Sequence, residues 1–200
     1  MTVLPELKEL EFEERKHIYL LNGIEIPSVT TLMEPLSSKV YGPIDPDVLA
    51  KAAGKGTAVH NAIENYLEFE IADIADEHRG YFDAFLAWLD EFRPVIIGKE
   101  ARVYHKQLRY AGTSDLICEI GGQNVLVDYK TSYQVNMMLY MVQLEGYARA
   151  WESHGVRIDD RIILHLKKDG KFTVYHSPKN AECYSVISAL MTIRNYQKKF

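Results

Sequence analysis

Ala111-Gly-Thr-Ser-Asp115-Leu-Ile-Cys-Glu-Ile120, Gly121-Gly-Gln-Asn124 and Val125-Leu-Val-Asp128-Tyr-Lys130-Thr131-Ser132 form the stretch whose reading decides the fold. Two apolar runs, Leu-Ile-Cys and Val-Leu-Val, lie either side of a glycine-rich turn signal, as in a β-hairpin. Two aspartates and a lysine interrupt them. A two-residue turn at Gly121-Gly122 pairs Ile120 with Gln123 and sets Asp115 opposite Asp128. A four-residue turn pairs Ile120 with Val125 and sets Asp115 opposite Lys130. Side chains alternate with period two, so either register places Asp115, Asp128 and Lys130 on one face. A three-residue loop without a bulge would turn Asp115 to the other face. Paired carboxylates suit a hard divalent cation, and a lysine beside them can orient a water and oppose charge building on a phosphate. An ordinary solvated strand face with Asp–Lys pairing has the same spacing, so spacing alone leaves both readings open.

Outward from this hairpin the pattern is that of a mixed α/β chain. His17–Leu21, Asn22-Gly23 and Ile24–Pro27 read as an N-terminal β-hairpin, since Asn-Gly supplies the positive φ of a tight turn. Ser28 or Thr30 caps a short helix through Met33. Pro43 and Pro46 mark a loop, and Asp47 opens a helical stretch to about Ala53 that Gly54-Lys-Gly56 interrupts. A stronger helix from about Thr57 carries Val59, Ile63, Tyr66 and Leu67 on one face. Another spans about Glu77 to Phe92 and stops before Pro94. Strands are expected at Glu100–His105, Arg109–Ile120 and Val125–Thr131. A helix from about Asn136 to His154, a hairpin Arg161–Lys167 and Phe172–His176 around Asp169-Gly170, and a last helix from about Ala181 to Lys198 complete the chain. This order predicts a central mixed sheet flanked by helices, in a single domain over residues 1–200, with 1–53 as an N-terminal hairpin and helical extension and 54–200 as the core.

Composition bounds the function. The 200 residues include 23 Lys and Arg against 28 Asp and Glu, a formal net charge of −5 that argues against coating DNA by bulk electrostatics. Local basic groups remain: Lys51, Lys55 and Arg149 are candidate DNA contacts, as are Lys167, Lys168 and Lys171, whereas Lys198-Lys199 reads as a solvated helix end. Several tyrosines are candidates to stack on unpaired bases. Cys118 and Cys183 are the only cysteines and form no Cys-x-x-Cys pair, so neither a structural zinc site nor a four-cysteine iron–sulfur cluster is expected. Cys118, within an apolar strand pattern, reads as a buried inert thiol. No apolar run reaches the roughly 18 residues of a membrane span, and the N-terminus lacks the features of a secretory signal; a soluble, cytoplasmic protein is expected.

Gly-Thr-Ser-Asp115 followed by Val-Asp128-Tyr-Lys130-Thr-Ser resembles motifs II and III of the PD-(D/E)xK nuclease superfamily, in the form seen in RecB-like exonucleases. Gly54-Lys-Gly-Thr-Ala-Val-His60 is similar to the upstream helix that brings a histidine to the metal. Gln143-Leu-Glu-Gly-Tyr147 is similar to the downstream Gln-x-x-x-Tyr signature. These matches run in the family's order over about half the chain. The resemblance implies a restriction-endonuclease-like fold and magnesium, which manganese can replace. The implied ligands are His60, Asp115, Asp128 and the Tyr129 backbone carbonyl. Lys130 would position water, and Gln143 and Tyr147, sharing a helix face, would hold Lys130 or contact a phosphate. Glu64, one turn after His60, and Glu100, on the strand before motif II, are further candidate ligands.

The implied activity is exonucleolytic hydrolysis of single- or double-stranded DNA, leaving a 5′-phosphate and a free 3′-hydroxyl. The setting would be recombination, replication or repair, as in compact phage-type exonucleases, with a recombination or replication protein as partner and some relatives oligomeric. No Gly-x-x-x-x-Gly-Lys-Ser/Thr loop is present, so no helicase part is expected. Two other classes fit the same chain: a non-catalytic nucleic-acid-binding scaffold, and a site-specific endonuclease.

Overall fold

The computed structural model describes residues 2–198; Lys199, half of the basic pair noted above, lies outside the described residues. The chain begins with three short strands, β1 (Leu10–Glu13), β2 (Ile18–Leu21) and β3 (Ile24–Ile26), in one antiparallel sheet. Asn22 and Gly23 turn β2 into β3 with φ of 52° and 74°, as the Asn-Gly pair requires. β1 is an addition to the expected hairpin: Leu-Glu-Phe-Glu alternates, and Phe12 packs on Tyr19 across the pair.

Helix α1 (Val29–Tyr41) starts where Ser28 accepts the Thr31 N–H at 2.9 Å. It runs eight residues past Met33, through Pro35, because Leu36 and Val40 continue its apolar face onto the core. Helix α2 (Pro46–Phe69) is capped by Asp45 with Pro46 in its first turn. It is continuous through Gly54-Lys-Gly56, so the expected break there does not occur and residue 53 lies inside a helix. Two helical glycines cost about 1 kcal/mol each relative to alanine. Lys55 between them is tied to the loop at the end of β6 (Gln123–Lys130), its Nζ donating to the Thr131 carbonyl at 2.7 Å, and this anchor outweighs local propensity. A 3-10 turn (Asp76–His78) leads into α3 (Arg79–Phe92).

The main sheet has five strands in the order β4 (Val95–Tyr104), β5 (Ala111–Ile120), β6 (Gln123–Lys130), β7 (Asp160–Leu166), β8 (Phe172–His176). All neighbours are antiparallel except β6 and β7, which α4 (Met137–Ser153) connects as a crossover. α5 (Ala181–Gln197) ends the described chain. Alternation along the strands builds two separate cores. Ile117, Leu126 and Ile163 face α1, α4 and α5, whereas Leu116, Val127 and Leu164 face α2 and α3. The result is a mixed sheet between two helical layers, with the N-terminal strands joined at β5 through the Ala111 N–H to Pro27 bond of 2.9 Å. No described helix is long and apolar enough to cross a membrane.

Candidate active site

The β5–β6 turn is the two-residue one: Gly121 and Gly122 have φ of 58° and 80°, and Ile120 pairs with Gln123. Few residues other than glycine hold two successive positive φ angles without cost. The ladder runs to Leu116 opposite Val127 and then opens. Where Asp115 and Asp128 would face each other, Asp115 Oδ2 instead accepts the Tyr129 N–H at 2.7 Å. One aspartate therefore ends the ladder and keeps its second oxygen free.

That oxygen belongs to a group. Ligand atoms of His60, Glu100 and Asp115 all lie within 4.8 Å of one another. His60 arrives from α2, with Nδ1 3.6 Å from Asp115 Oδ1 and Nε2 3.2 Å from the Tyr129 carbonyl oxygen. Glu100 arrives from β4. Lys99 pairs with Leu116 and Ala101 with Ser114, so Glu100 falls opposite Asp115. Its φ is +41°, a left-handed conformation that costs roughly 1–3 kcal/mol for a residue with a side chain. This distortion sits at the position that faces His60 and Asp115. Burial, then the negative charges of Asp115 and Glu64, push the Glu100 carboxyl up to about 8. Such crowding of carboxylates is what a divalent cation relieves, and two carboxylates, an imidazole and a nearby carbonyl are a suitable donor set for magnesium or manganese. Glu64, one turn beyond His60, lines the same open cavity of about 580 Å³, as do Lys55 and Lys130.

Asp128 stands outside this group of three. It is buried, its Oδ2 is 2.5 Å from Lys130 Nζ, and its Oδ1 accepts from Gln143 Nε2 at 3.0 Å. Burial raises the Asp128 pKa against the pull of Lys130. Burial also works against the Lys130 ammonium, but Asp128 and Asp115 outweigh it and hold the lysine charged. Gln143 bonds in turn to the Tyr147 hydroxyl at 3.2 Å. The Gln-x-x-x-Tyr pair thus holds Asp128, where the sequence pointed to Lys130 or a phosphate. Lys130 has a further neighbour that sequence reasoning missed: its Nζ lies 4.8 Å from the centre of the Tyr140 ring, within cation–π range.

Residues preceding Asp115 support this geometry. A Cβ on Gly112 would collide with the Tyr147 ring, so only glycine lets that ring lie over β5. Thr113 bonds the Tyr19 hydroxyl at 2.8 Å, and Ser114 accepts from the Trp151 indole at 2.9 Å. Gly-Thr-Ser is therefore a packing and hydrogen-bonding platform, a role legible only once its partners are known.

The candidate DNA contacts divide. Lys55 is at the cavity, bonded to Thr131 and Tyr81. Lys51 is exposed one turn earlier on α2. Arg149 is elsewhere: it pairs with Glu145 at 2.7 Å and Glu152 at 3.3 Å and lines a separate cavity with His105 and Tyr184. Lys167 and Lys168 flank a cavity next to the main one, and Lys171 pairs with Asp169. Cys118 is buried, its thiol pushed up to about 12 by burial, in keeping with an inert core residue.

No family model matches this sequence, and no curated protein is similar to it in sequence. Among solved structures, an alkaline exonuclease (LHK-Exo) from Laribacter hongkongensis aligns with a TM-score of 0.44 and 10% identity, over 70% of this chain and 81% of that one. A protein designated SSO0001 aligns with a TM-score of 0.38 and 12% identity, over 68% of this chain and 71% of that one.

Proposed function

We propose that the chain is a divalent-metal-dependent deoxyribonuclease that hydrolyses phosphodiester bonds from strand ends. The carrying observation is the convergence of His60, Glu100 and Asp115 within 4.8 Å, next to the pair formed by buried Asp128 and Lys130. Residues 1–200 would act as one nuclease domain, the 1–53 extension and the 54–200 core sharing helix α2.

His60, Glu100 and Asp115 would hold magnesium, or manganese in its place, with the Tyr129 carbonyl, Asp128 and Glu64 as further donors. A bound cation supplies a polarised water and neutralises charge gathering on the phosphate. The chain's own groups do the rest. Asp115 keeps the Tyr129 carbonyl turned toward His60 through the neighbouring N–H. Lys130, held charged by Asp128, donates to a phosphate oxygen and aligns the attacking water. Gln143, fixed by Tyr147, keeps the Asp128 carboxylate from rotating. Cleavage would leave a 5′-phosphate and a 3′-hydroxyl, in DNA recombination, replication or repair in a bacterial or phage-infected cytoplasm.

The test is to incubate end-labelled single- and double-stranded DNA and covalently closed circles with the protein and magnesium or manganese, alongside Asp128→Ala and Lys130→Ala. Progressive shortening of linear DNA, abolished by chelator and reduced at least roughly a hundredfold by each substitution, is expected. Cutting of closed circles would make the enzyme an endonuclease. DNA binding without cleavage under either metal would replace the reading with a scaffold.

A further inference from the structure

A second cavity, of about 330 Å³, adjoins the main one, and Ser132 lines both. Between them runs the loop that follows β6, and it is held at three points. Lys55 donates to the Thr131 carbonyl at 2.7 Å, His165 Nε2 lies 2.7 Å from the Ser132 carbonyl, and the Ser132 hydroxyl donates to the Gln134 carbonyl at 2.7 Å. On this loop Tyr133 is 94% exposed. A lone exposed aromatic is ordinary by itself. Here the ring is displayed by an anchored loop lining a cavity that shares Ser132 with the proposed cleavage site.

The same cavity is lined by Lys167 and Lys168, neither of which has an ion-pair partner among the described residues, whereas Asp169 beside them is engaged by Lys171. His165, 7% exposed, also lines the cavity. With Nε2 donating to Ser132, its Nδ1 is a buried acceptor that no group among the described residues satisfies. An aromatic platform, two uncommitted cations and an unmatched acceptor around one cavity are complementary to a nucleotide: a flat base, a phosphate and an amino edge.

We propose that this cavity is a nucleotide subsite, in which the base of an unpaired nucleotide next to the scissile bond stacks on Tyr133 while its phosphate lies against Lys167 and Lys168. The proposal rests on the nuclease reading and narrows its substrate to a single strand or a frayed end, because a base within a duplex is stacked on both faces and has none free for a side chain.

Binding in chelator separates this from hydrolysis. The affinity of a labelled single-stranded oligonucleotide is measured for wild type, Tyr133→Ala and Tyr133→Phe, and again with an oligonucleotide of equal length built of abasic residues. Tyr133→Ala is expected to weaken binding of the base-bearing strand about tenfold and leave the abasic strand unchanged, with Tyr133→Phe close to wild type. Substituting Lys167 and Lys168 together by alanine is expected to lower the slope of log affinity against log salt by about 0.7, the share of one phosphate on a single strand. Equal affinities of wild type and Tyr133→Ala for the base-bearing strand would overturn the proposal. So would equal losses on both strands, an unchanged salt slope, or no binding by the wild type. Binding that behaves as expected in a protein that cuts nothing would overturn the nuclease reading alone.

Discussion

Glu100 shows at the scale of one residue how position overrides preference. Its backbone is left-handed at the position opposite Asp115, and burial, then the negative charges of Asp115 and Glu64, push its carboxyl up to about 8. The shift carries a sign. A carboxyl raised from 4.5 to about 8 favours the folded chain when protonated, so its contribution is intact below about pH 4.5 and is lost as pH rises through 8. The metal-free protein should therefore melt at progressively lower temperature between pH 5 and pH 8. Glu100→Gln should flatten that decline, and magnesium should reverse it at pH 8. Parallel melting profiles of wild type and Glu100→Gln in chelator would show that Glu100 is not the group responsible.

At the scale of elements, the β5–β6 hairpin depends on its turn. Inserting one glycine between Gly121 and Gly122 would lengthen the loop to three residues and move Asp115 off the face of Asp128 and Lys130. We expect this variant to lose cleavage by at least about a hundredfold and to lose magnesium-induced stabilisation, while Gly121→Asn, which keeps the turn type, retains both. Retained activity in the insertion variant would mean that a bulge absorbs the extra residue. The hairpin was legible because alternation and turn chemistry are local properties. So were α3, α4 and α5, whose apolar spacing agrees with their packing. Local signals failed where a distant partner decides. Gly54 and Gly56 read as a break, but Lys55 reaches Thr131 across 76 residues of chain and carries α2 through. The helix after Ser28 is expected to run only through Met33, but its continuation is set by Leu36 and Val40 against the core. In the site, the shared face of Asp115, Asp128 and Lys130 followed from period two. That Glu100 joins His60 and Asp115 while Asp128 turns to Lys130 and Gln143 depends on how strands splay, which no spacing records.

The whole molecule is tied together outside the site by buried charge. Arg161 on β7 and Glu145 on α4 are each 1% exposed and 3.6 Å apart. Glu145 also accepts from Arg149 and from the Asn180 N–H that begins α5, and Glu152 adds contacts to Arg161 and Lys179. This network joins the crossover helix, the strand it leads to and the last helix. Removing one member leaves buried charge partly unmatched, which costs about 3–5 kcal/mol when the pair is fully buried. Glu145→Ala should accordingly lower the urea midpoint by roughly 1–5 M for an m-value of about 1–3 kcal/mol/M, with a two-state transition preserved. A midpoint within experimental error of wild type would show that Arg149 and Arg161 find other partners.

The bond from the Tyr129 N–H to Asp115 has a consequence for descent. A lineage that had abandoned chemistry would still need an acceptor at the end of the ladder, so position 115 would drift to asparagine sooner than to alanine. Positions 128 and 130 would be expected to change together, since a lone survivor would leave a buried charge without its counterpart. Retired descendants of this chain would thus be recognised by Asp115→Asn beside a joint replacement at 128 and 130, and an intact trio would mark those still under selection for more than shape.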